Sequence, residues 1–530
     1  MRVIVIGAGH NGLTAAFYLA KAGLEPMVLE QAEAIGGGGV TGELHPGFRC
    51  PTLNHYVSLR SDILVDMQLA RRGVEFLQTP VEACAPAVEG PAIVVYRDDL
   101  RTTESLRAIH AQDAERYPTY RSTLADICRV LGAVLTNPTP GIDTPDMRDV
   151  WNLLKTGRLF RALGARNAYA LLRWAPMPVS DFVSEWFESD LLRAMVAAPA
   201  VSGTMYGPRS AGSALVLLLR EATRTLSAGH AAQVKGGPGA LTQAMADAAR
   251  TAGASIHTGT RVERVIVSDG RVRGVVAAGR ELQAAAIVSA IDPKTTFLKL
   301  VDPVDISPDF RAKILNYRAN GTLAKVNLAL AALPSFTGLP KSPAEAAHNG
   351  ASQALSGRIH IGPDLDYLER AFDHAKYGEI SDEPWLDVAI PSVLDPGLAP
   401  AGAHVMSVYA HYAPYRLRSD NWPAMKEAVL SRVMSTLERF APGAGKLVVA
   451  ADVITPPELE THYGFHGGHV FHGELALDQL AITRPLLGFS RYESPIKGLF
   501  MCSAGTHPGG FMSGGSGRMA AKEIVRILAR

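Results

Sequence analysis

The sequence predicts an α/β protein: a parallel-sheet domain assembled from discontinuous segments, with a mixed α+β domain inserted into it. Three observations carry this. The chain opens on a run of β-branched residues, Val3, Ile4, Val5 and Ile6, that reads as a buried parallel strand. A glycine-rich turn and a helical stretch follow it at once. The 50 glycines of the 530 residues gather near 7–12, 36–39, 236–239 and 505–517, and two long stretches of different pattern lie between those clusters.

The first cluster has a specific spacing. Gly7, Gly9 and Gly12 form GxGxxG around Ala8, His10 and Asn11. A helix is predicted over 13–22, closed by Gly23, and a second strand over 27–30 ends in Glu30. Strand, GxGxxG, helix, strand and acid within about 30 residues make the dinucleotide-binding unit of a Rossmann-like domain. Gly7 permits the tight turn, Gly9 lets the backbone approach a pyrophosphate, and Gly12 with Ala16 lets the helix pack closely. The helix N-terminus presents amide hydrogens to phosphate, and Glu30 can accept from a ribose diol. Gly36, Gly37, Gly38 and Gly39 add a second flexible loop beside the phosphates. An NAD unit does not need that loop. A flavin dinucleotide does, because the chain must wrap past the pyrophosphate toward the isoalloxazine. The expected cofactor is therefore FAD, in a domain of the glutathione reductase type.

Two further segments extend this. Gly236 to Gly239 open a helix through 252; strands follow at 255–257 and 261–267, Asp269-Gly270 turns the chain into 272–276, and 286–290 is another strand. Near the C-terminus, 498–504 reads as a strand, 505–514 as a glycine loop and 516–528 as a helix. Together with 7–12, Glu30 and 35–48, these motifs resemble the FAD-dependent carotenoid and retinoid oxidoreductases, the phytoene-dehydrogenase-related family. The resemblance extends to the branch whose members carry a pyridine nucleotide-disulfide oxidoreductase domain name, although no redox CxxC is present. It implies that Val262 meets the adenine through its backbone. It also implies that Gly505, Gly509, Gly510, Phe511 and Met512 close over the flavin, with the last helix N-terminus favouring negative charge there. Ala504 and Gly505 stand where many flavoproteins carry an acid. No second GxGxxG marks a separate NAD(P)H domain.

These segments divide the chain into FAD-binding parts at 1–70, 228–300 and 490–530 and substrate-domain parts at 71–227 and 301–489. The first insertion reads as mostly helical. The second mixes strands (323–331, 404–412) with helices such as 422–440, and has Pro- and Gly-rich loops near 333–343 and 391–402. Residues 151–180 hold Lys155, Arg158, Arg161, Arg166 and Arg173 among tryptophans and leucines with no acid, and Gly157 and Gly164 weaken a continuous helix. That composition suits a peripheral membrane surface or a lid, or a basic face over ordinary core. His462, His466, His469 and His472 are spaced so that zinc comes to mind, but the intervening glycines argue for a loop and no metal is expected. Such histidines either form a polar active-site wall or are ordinary loop residues. His55, Tyr56, His469, His472 and His507 are the cavity candidates for acid–base work, with no base assigned. Cys502 reads as a buried strand residue.

Composition bounds the function. Lys plus Arg number 52 and Asp plus Glu 51, so no global basic field invites nucleic acid. Cys50, Cys84, Cys128 and Cys502 lie far apart, which excludes a thioredoxin-like pair and points to a reducing, cytoplasmic setting. No run is long and apolar enough to span a membrane, and the N-terminus lacks the shape of a signal or transit peptide. The expected function, implied by the resemblance, is hydride transfer between flavin and a small hydrophobic, polyene or lipid-like substrate, as in desaturation, saturation or isomerisation. Oxygen or a quinone would be the electron acceptor. The alternatives are a flavin amine oxidase, which the Ser503 to His507 stretch fits poorly, and a non-catalytic lipid or prenyl carrier.

Overall fold

Val3 and Val5 point into one hydrophobic core and Ile4 and Ile6 into another, which is why the first strand is apolar at every position. The structure, a computed structural model, describes residues 1–141, 145–230, 232–339, 353–419 and 421–529. Among them, Arg2–Ile6 is the middle strand of a five-stranded sheet ordered Leu499–Met501, Ala286–Ser289, Arg2–Ile6, Glu25–Leu29, Ser255–His257. Every pairing in it is parallel. Three distant parts of the chain therefore meet in one sheet.

Helices His10–Lys21, Pro238–Ala252 and Gly515–Leu528 cover one face through Leu19, Met245 and Ile524. The other face meets an antiparallel sheet of Val262–Ser268, Arg271–Ala277 and Arg280–Gln283. Its tight turn has positive φ at both Asp269 (54°) and Gly270 (68°), which matches the right-handed twist of a hairpin. The first and last helices approach so closely that a β-carbon on Gly517 would overlap the Asn11 carbonyl oxygen.

A second sheet is ordered Val448–Ile454, Leu323–Leu330, His404–His411, Trp385–Ala389, Arg358–Ile361, Val81–Ala85, Ile93–Tyr96. Helices Ala111–Thr136, Asp190–Val201 and Ser213–Leu226 belong to the core beside it. The first insertion is mostly helical, as its pattern predicts, with one difference. The hairpin Val81–Ala85 and Ile93–Tyr96 joins the sheet of the second insertion, through a parallel pairing with Arg358–Ile361. Its partner is remote in sequence, so nothing local announces the pairing.

Residues 147–174 form two helices, Met147–Ala162 and Gly164–Trp174. Gly157 lies within the first, and the break falls at Gly164, where φ is 72°. Trp151 (65% exposed), Leu153, Leu154, Tyr169 (72%) and Leu172 face outward, interspersed with exposed Lys155, Arg158, Arg161 and Arg166. Among the described residues no helix is long and apolar enough to cross a membrane. The predicted loop near 333–343 lies partly outside the described residues.

Candidate functional site

The turn after the first strand is set by its backbone. Gly7 has φ of 95°, which suits glycine, and its N–H donates to the Leu29 carbonyl at 2.8 Å. The helix then begins at His10 with no side-chain cap, leaving the amides of its first turn available. A β-carbon on Gly9 would meet nothing within 4 Å, and Gly37 lies alongside, its own β-carbon position 3.4 Å from the Gly9 Cα. The Glu30 carboxylate accepts from Ala8 N–H at 2.7 Å and Ala32 N–H at 2.9 Å, and so sits fixed at the end of the second strand. These groups line a cavity of about 400 Å³. A helix N-terminus, an open glycine and an anchored acid are the donor and acceptor set that a dinucleotide needs.

The far wall of this cavity comes from the rest of the chain: Val262, His462, Tyr463, Phe465, Phe471, His472, Ala504, Gly510, Phe511 and Met512. Phe511 (φ 72°) and Met512 (φ 53°) hold left-handed backbone conformations that are costly for such residues. Burial pushes His10 down to about 4 and His472 to about 3, so both are neutral at pH 7.

A second cavity of about 310 Å³ adjoins the first, under the seven-stranded sheet. Asn54, Val470, Phe471, Phe511 and Met512 line both. Asn54 ties the boundary together: its amide donates to Gly38 O at 2.9 Å, and its oxygen accepts from Tyr409 at 3.3 Å. His55 and Tyr56 line the second cavity. His55 Nδ1 lies 3.0 Å from Ser407 Oγ and 3.3 Å from Lys325 Nζ, and Lys325 also donates to Ser407. Burial draws the Lys325 ammonium down to about 7 and holds His55 well below its ordinary value, with Lys325 adding to the effect on His55.

The predicted residues divide by location. Gly7, Gly9, His10, Asn11, Glu30, Gly37, Gly38, Val262, Gly510, Phe511 and Met512 line the first cavity. Gly12, Gly36, Gly39, Gly505 and Gly509 do not. A β-carbon on Gly12 would overlap the Gly7 carbonyl oxygen, so it serves close packing. Gly36 donates to Ala8 O at 3.1 Å, and Gly39 O accepts from Thr242 at 2.9 Å; both shape the loop rather than face the cavity. Gly505 packs on Pro293, and Gly509 sits near Arg484. The last helix also turns away, its first turn lying against Asn11 and Thr14.

Two histidine candidates are corrected. His507 faces neither cavity: its Nε2 lies 3.1 Å from the carbonyls of Val134 and Asn137, where it caps the end of helix Ala111–Thr136. His469 is fully buried behind the wall, its Nδ1 accepting from Phe471 N–H at 3.2 Å. Of the four loop histidines, His462 and His472 face the first cavity. Among the described residues no cluster of three or more His, Cys, Asp or Glu is placed to hold a metal. Cys502 is buried in the core of the parallel sheet, and burial raises its thiol pKa.

Residues 2–144 match the FAD dependent oxidoreductase family, and residues 142–525 match the flavin containing amine oxidoreductase family. The chain belongs to the flavin containing amine oxidoreductase family. Its cofactor is FAD, and the residues lining the first cavity fit such a group. The pyridine nucleotide-disulfide oxidoreductase domain-containing protein 2 of Rattus norvegicus is 34% identical to this flavoenzyme, over 99% of this chain and 93% of that one. A limonene dehydrogenase component of Castellaniella defragrans is 27% identical over 99% and 94%. A lycopene-forming phytoene desaturase of Pseudescherichia vulneris is 24% identical over 97% and 96%. A solved putrescine oxidase variant shares the fold, with a TM-score of 0.60 at 15% identity, covering 100% of this chain and 99% of that one.

Several residues of the flavoenzyme's two cavities escape sequence reasoning. Asn54 directly precedes a flagged pair, and Phe471 lies inside a flagged loop, so proximity was a signal. Arg220, Arg358, Asp387 and Tyr409 sit on ordinary-looking helix and strand segments and carried none.

Proposed function

We propose that this flavoenzyme dehydrogenates a lipid-like substrate, removing hydride from a C–H bond and a proton from its neighbour to leave a C=C bond. The observation that carries this reading is the wall common to the two cavities: a molecule in the second cavity would approach cofactor held in the first across Asn54, Val470, Phe471, Phe511 and Met512. FAD supplies the two-electron acceptor. The parts at 1–70, 228–300 and 490–530 would hold most of it, with 462–472 closing the far wall, and those at 71–227 and 301–489 shape most of the second cavity, with His55, Tyr56, Phe511 and Met512 completing it. The rings at the boundary position the reacting carbons and exclude water. The departing proton is relayed across the His55–Ser407 contact to the neutral form of Lys325, which burial draws down to about 7 and so makes the receiving base; His55, held well below its ordinary value, does not keep the proton. The full-length likeness to a phytoene desaturase and a limonene dehydrogenase component supports C–H oxidation on an apolar skeleton.

The purified protein should show a flavin band with stoichiometric FAD, and anaerobic addition of polyene or terpenoid candidates should bleach it. Bleaching by simple amines instead, with peroxide released in air, would move the assignment to amine oxidation. No flavin after reconstitution would leave a lipid carrier.

The outward tryptophan, leucines and tyrosine of Met147–Ala162 and Gly164–Trp174, interspersed with cations, make the surface suited to contact with an anionic membrane. Each cation adds on the order of 1 kcal/mol of attraction to an anionic surface at best. The protein should float with phosphatidylserine-containing vesicles, and Trp151→Ser with Leu154→Ser should release it. Equal recovery of both proteins with the vesicles would remove these helices from the contact.

A further inference from the structure

Arg220 stands on the wall of the second cavity with no carboxylate in ion-pair contact among the described residues. Its guanidinium lies over the Phe471 and Phe511 rings, 5.2 and 4.8 Å from their centroids, at the boundary with the cofactor cavity. One amino group donates to the Ser202 carbonyl at 2.5 Å, while Nε is buried with no partner. Among the described residues no carboxylate lies within ion-pair distance of it; Asp387 acts only through space.

The neighbouring charges are already engaged. Arg224 is held between Glu82 at 3.0 Å and Glu221 at 2.9 Å. Arg97 donates to the Thr79 carbonyl at 2.8 Å. Arg358 reaches toward Asp387 at 3.6 Å and donates to the Met195 carbonyl at 3.1 Å. Lining arginines thus outnumber lining acids, four (Arg97, Arg220, Arg224, Arg358) to three (Glu82, Glu221, Asp387). A guanidinium cannot shed its proton to relieve burial, so an uncompensated one facing a cavity calls for an anion there. Val81, Pro199, Leu323 and Leu394 supply apolar surface on the same wall. We propose that Arg220 binds a carboxylate on the substrate, so that the substrate class is an acid with an apolar body. The planar fork of arginine suits a carboxylate in this way. This inference rests on reading the second cavity as the substrate site.

Octanoate, octanol and octylamine, titrated into the FAD-loaded protein while the flavin absorption is followed, test it. Octanoate should perturb the flavin band and bind about tenfold or more tightly than octanol, with octylamine weaker still. Arg220→Met should raise the octanoate Kd by about thirtyfold, and Arg220→Lys by less, with FAD retained and octanol affinity changed by far less than octanoate affinity. No octanoate binding to wild type, a preference for octylamine, or unchanged affinity in Arg220→Met would overturn the proposal. An altered flavin spectrum in unliganded Arg220→Met, with octanoate affinity retained, would assign the charge to the cofactor instead. A wild-type protein that takes up no FAD would overturn the oxidoreductase reading itself, a result separate from these.

Discussion

A Gly9→Val protein should fold as wild type does and purify without flavin. Residue 9 has φ of −70° and ψ of 170°, an extended conformation that valine readily adopts. Nothing within 4 Å opposes a β-carbon there. The added methyls would fill the opening between the helix N-terminus and Gly37, where a pyrophosphate must lie against bare backbone. FAD affinity should fall by about 100-fold or more, equivalent to about 2.7 kcal/mol. The ratio of flavin to protein absorbance reads the loss, and circular dichroism with the apoprotein melting temperature reads the fold. Stoichiometric FAD in the variant would show that residue 9 does not face the pyrophosphate. Gly12→Val is the contrasting control. Its side chain would collide with the Gly7 carbonyl, so it should damage the fold itself.

The second large effect is expected at Arg484, which is wholly buried. Its guanidinium donates to the carbonyls of Phe471 (2.8 Å), Gly473 (3.2 Å), Glu474 (2.8 Å), Gln479 (3.1 Å) and Ala504 (2.8 Å). It therefore ties the 471–479 loop, which walls both cavities, to the end of the last sheet strand. Burial lowers its pKa, yet the ring of carbonyl oxygens keeps the charge solvated from within. Arg484→Met would preserve length and leave most of those carbonyls without the donor they now have, at a cost of at least about 3 kcal/mol. A chain with several cores need not unfold in one step, so a local readout is preferable. The temperature at which flavin is released should fall sharply, and proteolytic cuts should appear within 464–484. An unchanged release temperature would show that the loop is held by other contacts.

Arg484 also shows where sequence reasoning stops. Nothing in its neighbourhood distinguishes it from a surface arginine, because its partners are main-chain carbonyls whose position depends on how a loop folds back. His507 makes the same point in reverse. It lies inside a glycine motif that resembles a flavin-closing loop, and it turns instead to the end of a helix from the first insertion. Gly36 and Gly39 belong to a legible motif, yet only the structure separates the glycines that face the cavity from those that shape the loop behind it.

What the sequence alone determined about this protein is the parallel sheet and the dinucleotide turn. Both rest on local patterns: a β-branched run buried on two faces, glycines at fixed spacing, an acid at the end of the next strand. Each of these constrains a backbone within a few tens of residues, so the pattern survives in one dimension. Tertiary structure alone decided how Val81–Ala85 pairs with Arg358–Ile361, which histidines reach a cavity, and that Arg220 stands there with no ion-paired carboxylate among the described residues. Those outcomes depend on side-chain direction and on the meeting of segments hundreds of residues apart, and neither quantity is carried by the order of residues along a strand or helix.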